Sequence, residues 1–227
     1  MSSSTPPASP AWANDLVAQV NRVFSRTGAD TPGRPDPHQG RPPAEEEYSR
    51  CLEAGKYRIL DTRIEAWVQT LADRGIAISR DAPLSGPRWL GAVRPPEQHH
   101  RIQRIDPTAP GGLALWFART LVDGAQFGVD VGVGTPTGRS EPPVLVDVVP
   151  PCGCDACDDG SEALLEAVDD WFVTVARGGV VHARDGERRI TRTINGWQGT
   201  GDADEAWLDQ SASPPPGLRQ WSGEPWL

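Results

Sequence analysis

Apolar positions recur in two rhythms along the 227-residue chain. Near the start, Leu16, Val17, Val20, Val23 and Phe24 repeat at helical spacing, and Asn14 is the expected N-cap of a short helix there. From Glu45 to Gly75, Tyr57, Leu60, Ile64, Trp67 and Leu71 fall on one apolar stripe. Gly55 divides that stretch into a short helix and a longer one, and Gly75 is placed to end it in the left-handed conformation glycine tolerates. A third helix opens at Asp159, with Glu162 three residues on as in a capping box. It buries Leu164, Leu165, Val168, Phe172 and Val175 and stops at Gly178-Gly179.

Elsewhere the period shortens to two. HHRIQRI (99–105), LALWFART (113–120), FGVDVGV (127–133) and VLVDVV (144–149) read as strands. VVHAR (180–184) and RRITRTI (188–194) read as a tight hairpin turning at Asp185-Gly186. Asp130 and Asp147, flanked by valines, are expected on the solvent face of a half-exposed sheet. Helices grouped before and after such a run predict an α+β fold. Its antiparallel sheet should have about five to six strands packed against two or three helices.

The remaining segments show no period. The Ser/Pro-rich first ten residues are expected to be disordered, and TGADTPGRPDPHQGRPP reads as linker. The expected organisation is a flexible N-terminal extension with one short helix (1–43), a single α+β domain (44–208) and an irregular Pro/Trp-containing tail (209–227). An apolar fraction of 37%, with 23 Pro and 24 Gly, fits one core with irregular ends. Trp197, Trp207, Trp221 and Trp226 crowd the C-terminal region. They either staple the tail to the domain's own apolar surface or anchor a partner protein.

Charge narrows the partners. A net −9 repels phosphate backbones and anionic lipid heads, so neither nucleic acid nor a membrane is expected. Arg188, Arg189 and Arg192 are read as a solvated face. The N-terminal stretch has neither the basic nor the apolar region of a signal peptide, and no apolar run reaches spanning length. A cytoplasmic location with reduced thiols is therefore expected.

The chemical interest lies in PPCGCDACDDG (150–160). Cys152, Cys154 and Cys157 offer three soft ligands, for which Zn²⁺ is the first candidate and an iron–sulfur cluster or Cu(I) the next. A fourth ligand would come from Asp155, Asp158, His182 or Cys51. Cys157 lies just before a helix N-terminus, which favours a thiolate. The aspartates oppose one unless a cation is bound, so the combination fits a bound cation better than a free nucleophile. Cys154-Asp155-Ala156-Cys157 is also formally the C-x-x-C of dithiol redox proteins, and a cysteine-rich turn without any ligand is the third reading.

Other constellations are weaker. Asp155, Asp159, Gly160 and Glu166 fall in EF-hand register, but Cys157 and Glu162 break it, so calcium is not expected. VGVGTPTGRS (131–140) misses phosphate-loop spacing and reads as a hairpin loop. His99 and His100 point to opposite faces of a strand, and Asp169 and Asp170 diverge on a helix, one towards solvent and one towards a rim. No catalytic residue is assigned. The functional expectation is a non-catalytic binding or interaction domain with a structural zinc site of Cys152, Cys154, Cys157 and one of Asp155 or His182. The alternative is a thiol redox protein or enzyme using Cys154 and Cys157, with His182 assisting.

CGCDACDDGSEALLEAVDDWFVTVARGG, with LALWFART and the VGVG turn before it, KYRILDTRIEAW nearer the start and NGW after the hairpin, resembles an actinobacterial family catalogued as domain of unknown function 6226. The resemblance spans roughly Glu45 to Trp207, and its most specific element is CGCDACD. It implies that Cys152, Cys154, Asp155, Cys157 and Asp158 match the family's hallmark, and it implies no activity.

Overall fold

The computed structural model describes residues 10–84, 89–93, 98–122, 124–135, 141–209 and 215–227. The three helical rhythms become α1 (Ala11–Thr27), α2 (Arg58–Asp73) and α3 (Gly160–Ala176). Asn14 is not the cap of α1. Pro10 holds the N-cap position in extended geometry, and its carbonyl accepts from the Ala13 and Asn14 amides, so Asn14 lies within the first turn. The stretch before α2 is not α-helical either. It forms two 3-10 turns, Glu45–Ser49 and Ala54–Tyr57, because the backbone between them bonds across to a distant loop. The Asp155 amide donates to the Arg50 carbonyl, and the Leu52 amide donates to the Asp155 carboxylate. Gly75, at φ +66, ends α2 as expected.

Where a single sheet was expected, the described residues form two. The first is an antiparallel meander of β1 (Ala77–Ala82), β2 (His99–Pro107), β3 (Ala114–Val122), β4 (Ala125–Gly134) and β5 (Val144–Val149), in that order. The second has the order β8-β7-β6-β9, from β6 (Val181–Asp185), β7 (Arg188–Thr193), β8 (Gly196–Thr200) and β9 (Arg219–Ser222). The architecture is α+β. Strands β1, β8 and β9 escaped the pattern for a common reason: they are short and mostly exposed, and no alternation of apolar residues marks them.

One face of the first sheet packs under the helices. Leu115, Phe117 and Val131 meet Leu16, Ile64 and Phe172 in one buried cluster, and Trp67 stacks on Phe172 at 4.7 Å. Arg63, 3% exposed, forks onto Asp169, whose carboxylate also accepts from Trp67 Nε1 at 2.6 Å. Asp169 therefore belongs to the α2–α3 interface and not to an open rim.

The opposite face is covered as well, which overturns the reading of Asp130. Trp89 packs over Ile102, Trp116, Ala118 and Leu145, and a Cβ on Gly132 would come within 2.7 Å of its ring. Only a glycine leaves room for that indole. Beneath this cover Asp130 is 1% exposed and pairs with His99 Nε2 at 2.9 Å. His99 and His100 do diverge, one buried and one exposed.

The described segments flanking the domain on both sides pack inward. Leu16, Val20 and Val23 of α1 are buried in the main cluster, and Arg34 reaches Asp158. β9 pairs with β6, and Trp221 and Trp226 are each 2% exposed. Trp226 donates Nε1 to the Leu113 carbonyl, so these two tryptophans staple the tail to the domain. Residues 1–9, expected to be disordered, and residues 136–140 of the expected hairpin loop lie outside the described residues. Among the described residues no helix is long and apolar enough to cross a membrane.

Candidate metal centre

Between β5 and α3 the chain makes a loop whose shape is set by its smallest residue. A Cβ on Gly153 would lie 1.7 Å from the Phe127 ring, so the C-G-C step presses its backbone directly against that phenyl group. The Tyr57 hydroxyl donates to the Gly153 carbonyl at 3.4 Å, and Tyr57 meets Phe127 edge-on. Beyond this contact, Asp155–Cys157 forms a 3-10 turn closed by the Cys157 amide on the Cys154 carbonyl. That turn brings Cys157 back beside the other two thiols.

The three sulfurs lie within 4.8 Å of one another, with Cys152 and Cys154 3.2 Å apart. Thiolates about 2.3 Å from a tetrahedral Zn²⁺ would be about 3.8 Å apart, so small side-chain adjustments suffice to place an ion among them. Cys152 and Cys157 are exposed and Cys154 is half-buried, which leaves the cluster open outward. Among the described residues this is the one His/Cys/Asp/Glu group of metal-holding geometry.

Residues 20–226 match the model of a family described as a family of unknown function, DUF6226. The chain belongs to the DUF6226 family. No curated protein and no solved structure matches it. The family match runs from the second half of α1 into the tail, beyond the Glu45–Trp207 span of the motifs.

In this DUF6226 protein the candidate fourth ligands do not join the thiols. Asp155 accepts from Lys56 Nζ at 3.1 Å, Arg50 Nε at 3.3 Å and the Leu52 amide at 3.3 Å. Asp158 accepts from Lys56 Nζ at 2.7 Å, two Arg34 nitrogens at 2.5 Å and the Gly160 amide at 3.0 Å. Burial pushes both carboxyls up, but these donors outweigh it and hold both below the usual carboxylate range. Cys51 is half-buried beside Lys56, and burial raises its thiol. His182 sits in the second sheet, where its Nδ1 bonds Thr191 Oγ1 at 2.8 Å and its ring meets Trp221 edge-on. The EF-hand register likewise converges on no site among the described residues.

Two local assignments change with this geometry. Asp159 occupies the N-cap position of α3, yet its side chain makes no cap bond. Asp158 does the capping instead, through the Gly160 amide, while Ser161 Oγ accepts from the Arg34 amide. The acids also no longer argue for a bound cation, because the protein supplies the counter-charges itself. Arg34, Arg50 and Lys56 face Glu47, Asp155 and Asp158 in a balanced set. Sequence reasoning missed this cationic half of the site. Its visible signal was Lys56, the single lysine of the chain.

With the acids neutralised, the sulfurs themselves decide the local charge. Hydrogen bonding from Cys152 lowers the Cys154 thiol, while its contacts with Cys154 and Cys152 push Cys157 up to about 12. Of the three sulfurs, Cys154 is the one whose neighbours ease deprotonation. Three thiolates at this spacing require a cation among them.

Proposed function

We propose that Cys152, Cys154 and Cys157 bind one soft metal cation, zinc before Cu(I), in a non-catalytic binding or interaction domain. The observation that carries the reading is the convergence of three sulfurs within 4.8 Å on a loop pinned from behind by Tyr57, Phe127, Lys56 and Arg34. Preorganisation of this kind reduces the ordering that binding would otherwise require. Asp155 and Asp158 are engaged elsewhere, so the fourth coordination position is left to water or to a donor from a protein partner. The tight binding typical of thiolate zinc sites makes stoichiometry the test. Elemental analysis of tag-free protein from metal-replete medium should find about one equivalent of zinc, falling to less than about a tenth in Cys154→Ser. Wild-type protein below about a tenth of an equivalent of any transition metal overturns the proposal.

A second reading, thiol redox chemistry at Cys154 and Cys157, is favoured by the approach of their sulfurs within 4.8 Å and by the lowered Cys154 thiol. It requires Cys154 to react fastest with a thiol reagent in metal-free protein at neutral pH. Uniformly slow labelling of all three removes that reading.

A further inference from the structure

Three cavities, of about 470, 320 and 410 Å³, share Asp147 in their walls. The last also reaches Cys152 and Cys157; the middle one lies between α3 and the β7–β8 hairpin. Asp147 was expected on an open sheet face. It is instead half-buried, accepting from Trp171 Nε1 at 2.7 Å and from the Val148 amide at 2.8 Å.

The 320 Å³ cavity brings together two stretches that the metal site does not use, Asp170-Trp171 on α3 and Asn195-Gly196-Trp197 at the start of β8. Asp170 accepts from Asn195 Nδ2 at 3.0 Å, and Trp197 stands 55% exposed at the rim. Neither Asp147 nor Asp170 has a cationic partner among the described residues, whereas Asp61, Asp158 and Asp169 each meet an arginine. Burial raises both unmatched carboxyls, and Glu166 and Asp169 add negative charge beside Asp170. Among the described residues no Arg, Lys or His lines this cavity. Arg189 lines only the larger neighbour, and its guanidinium donates to the Gly91 carbonyl.

Two unmatched carboxylates and two indoles in one cavity lining form a recognisable chemistry. The acids supply counter-charge, and the aromatic faces attract a cation through their quadrupoles while covering its alkyl surface. A bare metal ion would find only two charged ligands here, and among the described residues they belong to no metal-holding group. A sugar could stack on Trp197 but would leave both charges unmatched.

We propose that this cavity binds a small organic cation, an alkylammonium or guanidinium compound, its charge met by Asp147 and Asp170 and its carbon part by Trp171 and Trp197. The site is independent of the thiol cluster, although the shared wall at Asp147 places the two side by side.

Calorimetric titration of the full chain at constant ionic strength tests the assignment, with choline chloride and n-butylammonium chloride as probes and glucose as the neutral control. At least one cation should bind saturably at millimolar concentration or tighter, and glucose should not bind. Asp170→Asn and Trp197→Ala should each weaken binding about tenfold. Both side chains reach solvent, and an unchanged melting temperature will show that the variants fold. Cys154→Ser should leave the affinity unchanged. The proposal fails if neither cation saturates by about 20 mM. It fails equally if glucose binds as well, if both cavity variants bind like wild type, or if loss of Cys154 weakens binding as they do.

Discussion

His182 offers the sharpest quantitative test of the structure, because its environment departs furthest from what the sequence suggested. It is fully buried on β6, bonded through Nδ1 to Thr191, and its Nε2 has no hydrogen-bond partner among the described residues. Burial, with Arg189 and Arg184 nearby, lowers its pKa from the ordinary 6.5 to about 4. The folded state therefore resists a proton that the unfolded chain accepts. Stability from this group is complete above the unfolded value of 6.5 and is lost as pH falls towards about 4. At about 1.4 kcal/mol per pH unit, the whole gap amounts to about 3 kcal/mol, and at pH 5.0 about 2 kcal/mol of it is already lost.

Urea unfolding followed by tryptophan fluorescence at pH 7.5 and 5.0 reads this directly. Other ionisable groups also contribute to the pH dependence of folding, so His182→Gln serves as the reference. Wild type should lose about 2 kcal/mol more than the variant between the two pH values. Equal losses, or an NMR titration placing His182 near 6.5, would refute the burial argument. Added zinc should leave this titration unmoved, since His182 is not among the clustered ligands.

Further outcomes follow from the loop. Gly153→Ala must displace the Phe127 ring, so it should cost about 1–3 kcal/mol and reduce zinc content; a wild-type melting curve with full zinc would contradict the close packing. Lys56→Met leaves the buried Asp158 and half-buried Asp155 carboxylates without their shared ammonium and should cost about 3 kcal/mol in urea unfolding. Paired with Asp158→Asn, the loss should be smaller than the sum of the single losses. Strict additivity would show that the two side chains are not coupled.

Most of what the sequence made legible was local. The apolar stripe from Tyr57 to Leu71, the left-handed Gly75 and the tight turn at Gly186 follow from interactions a few residues long, and each appears where its pattern placed it. The thiol cluster was legible for the same reason, since C-x-C-x-x-C closed by one 3-10 turn cannot carry its sulfurs far apart. Strands β8 and β9 were not legible, because their neighbours rather than their own residues make them strands.

Charged groups were the other blind spot, and Asp130, Asp158 and His182 show why. Nothing adjacent to Asp130 reveals that Trp89 covers its face of the sheet. Asp158 finds Lys56 and Arg34 more than one hundred positions away, and His182 is buried beneath a tail tryptophan. The sequence by itself determined the helices, six of the strands and a three-thiol loop, because periodicity and turn chemistry act over short spans. Only the tertiary structure decided which charges are matched: electrostatic pairing depends on distance in space, which chain position does not record.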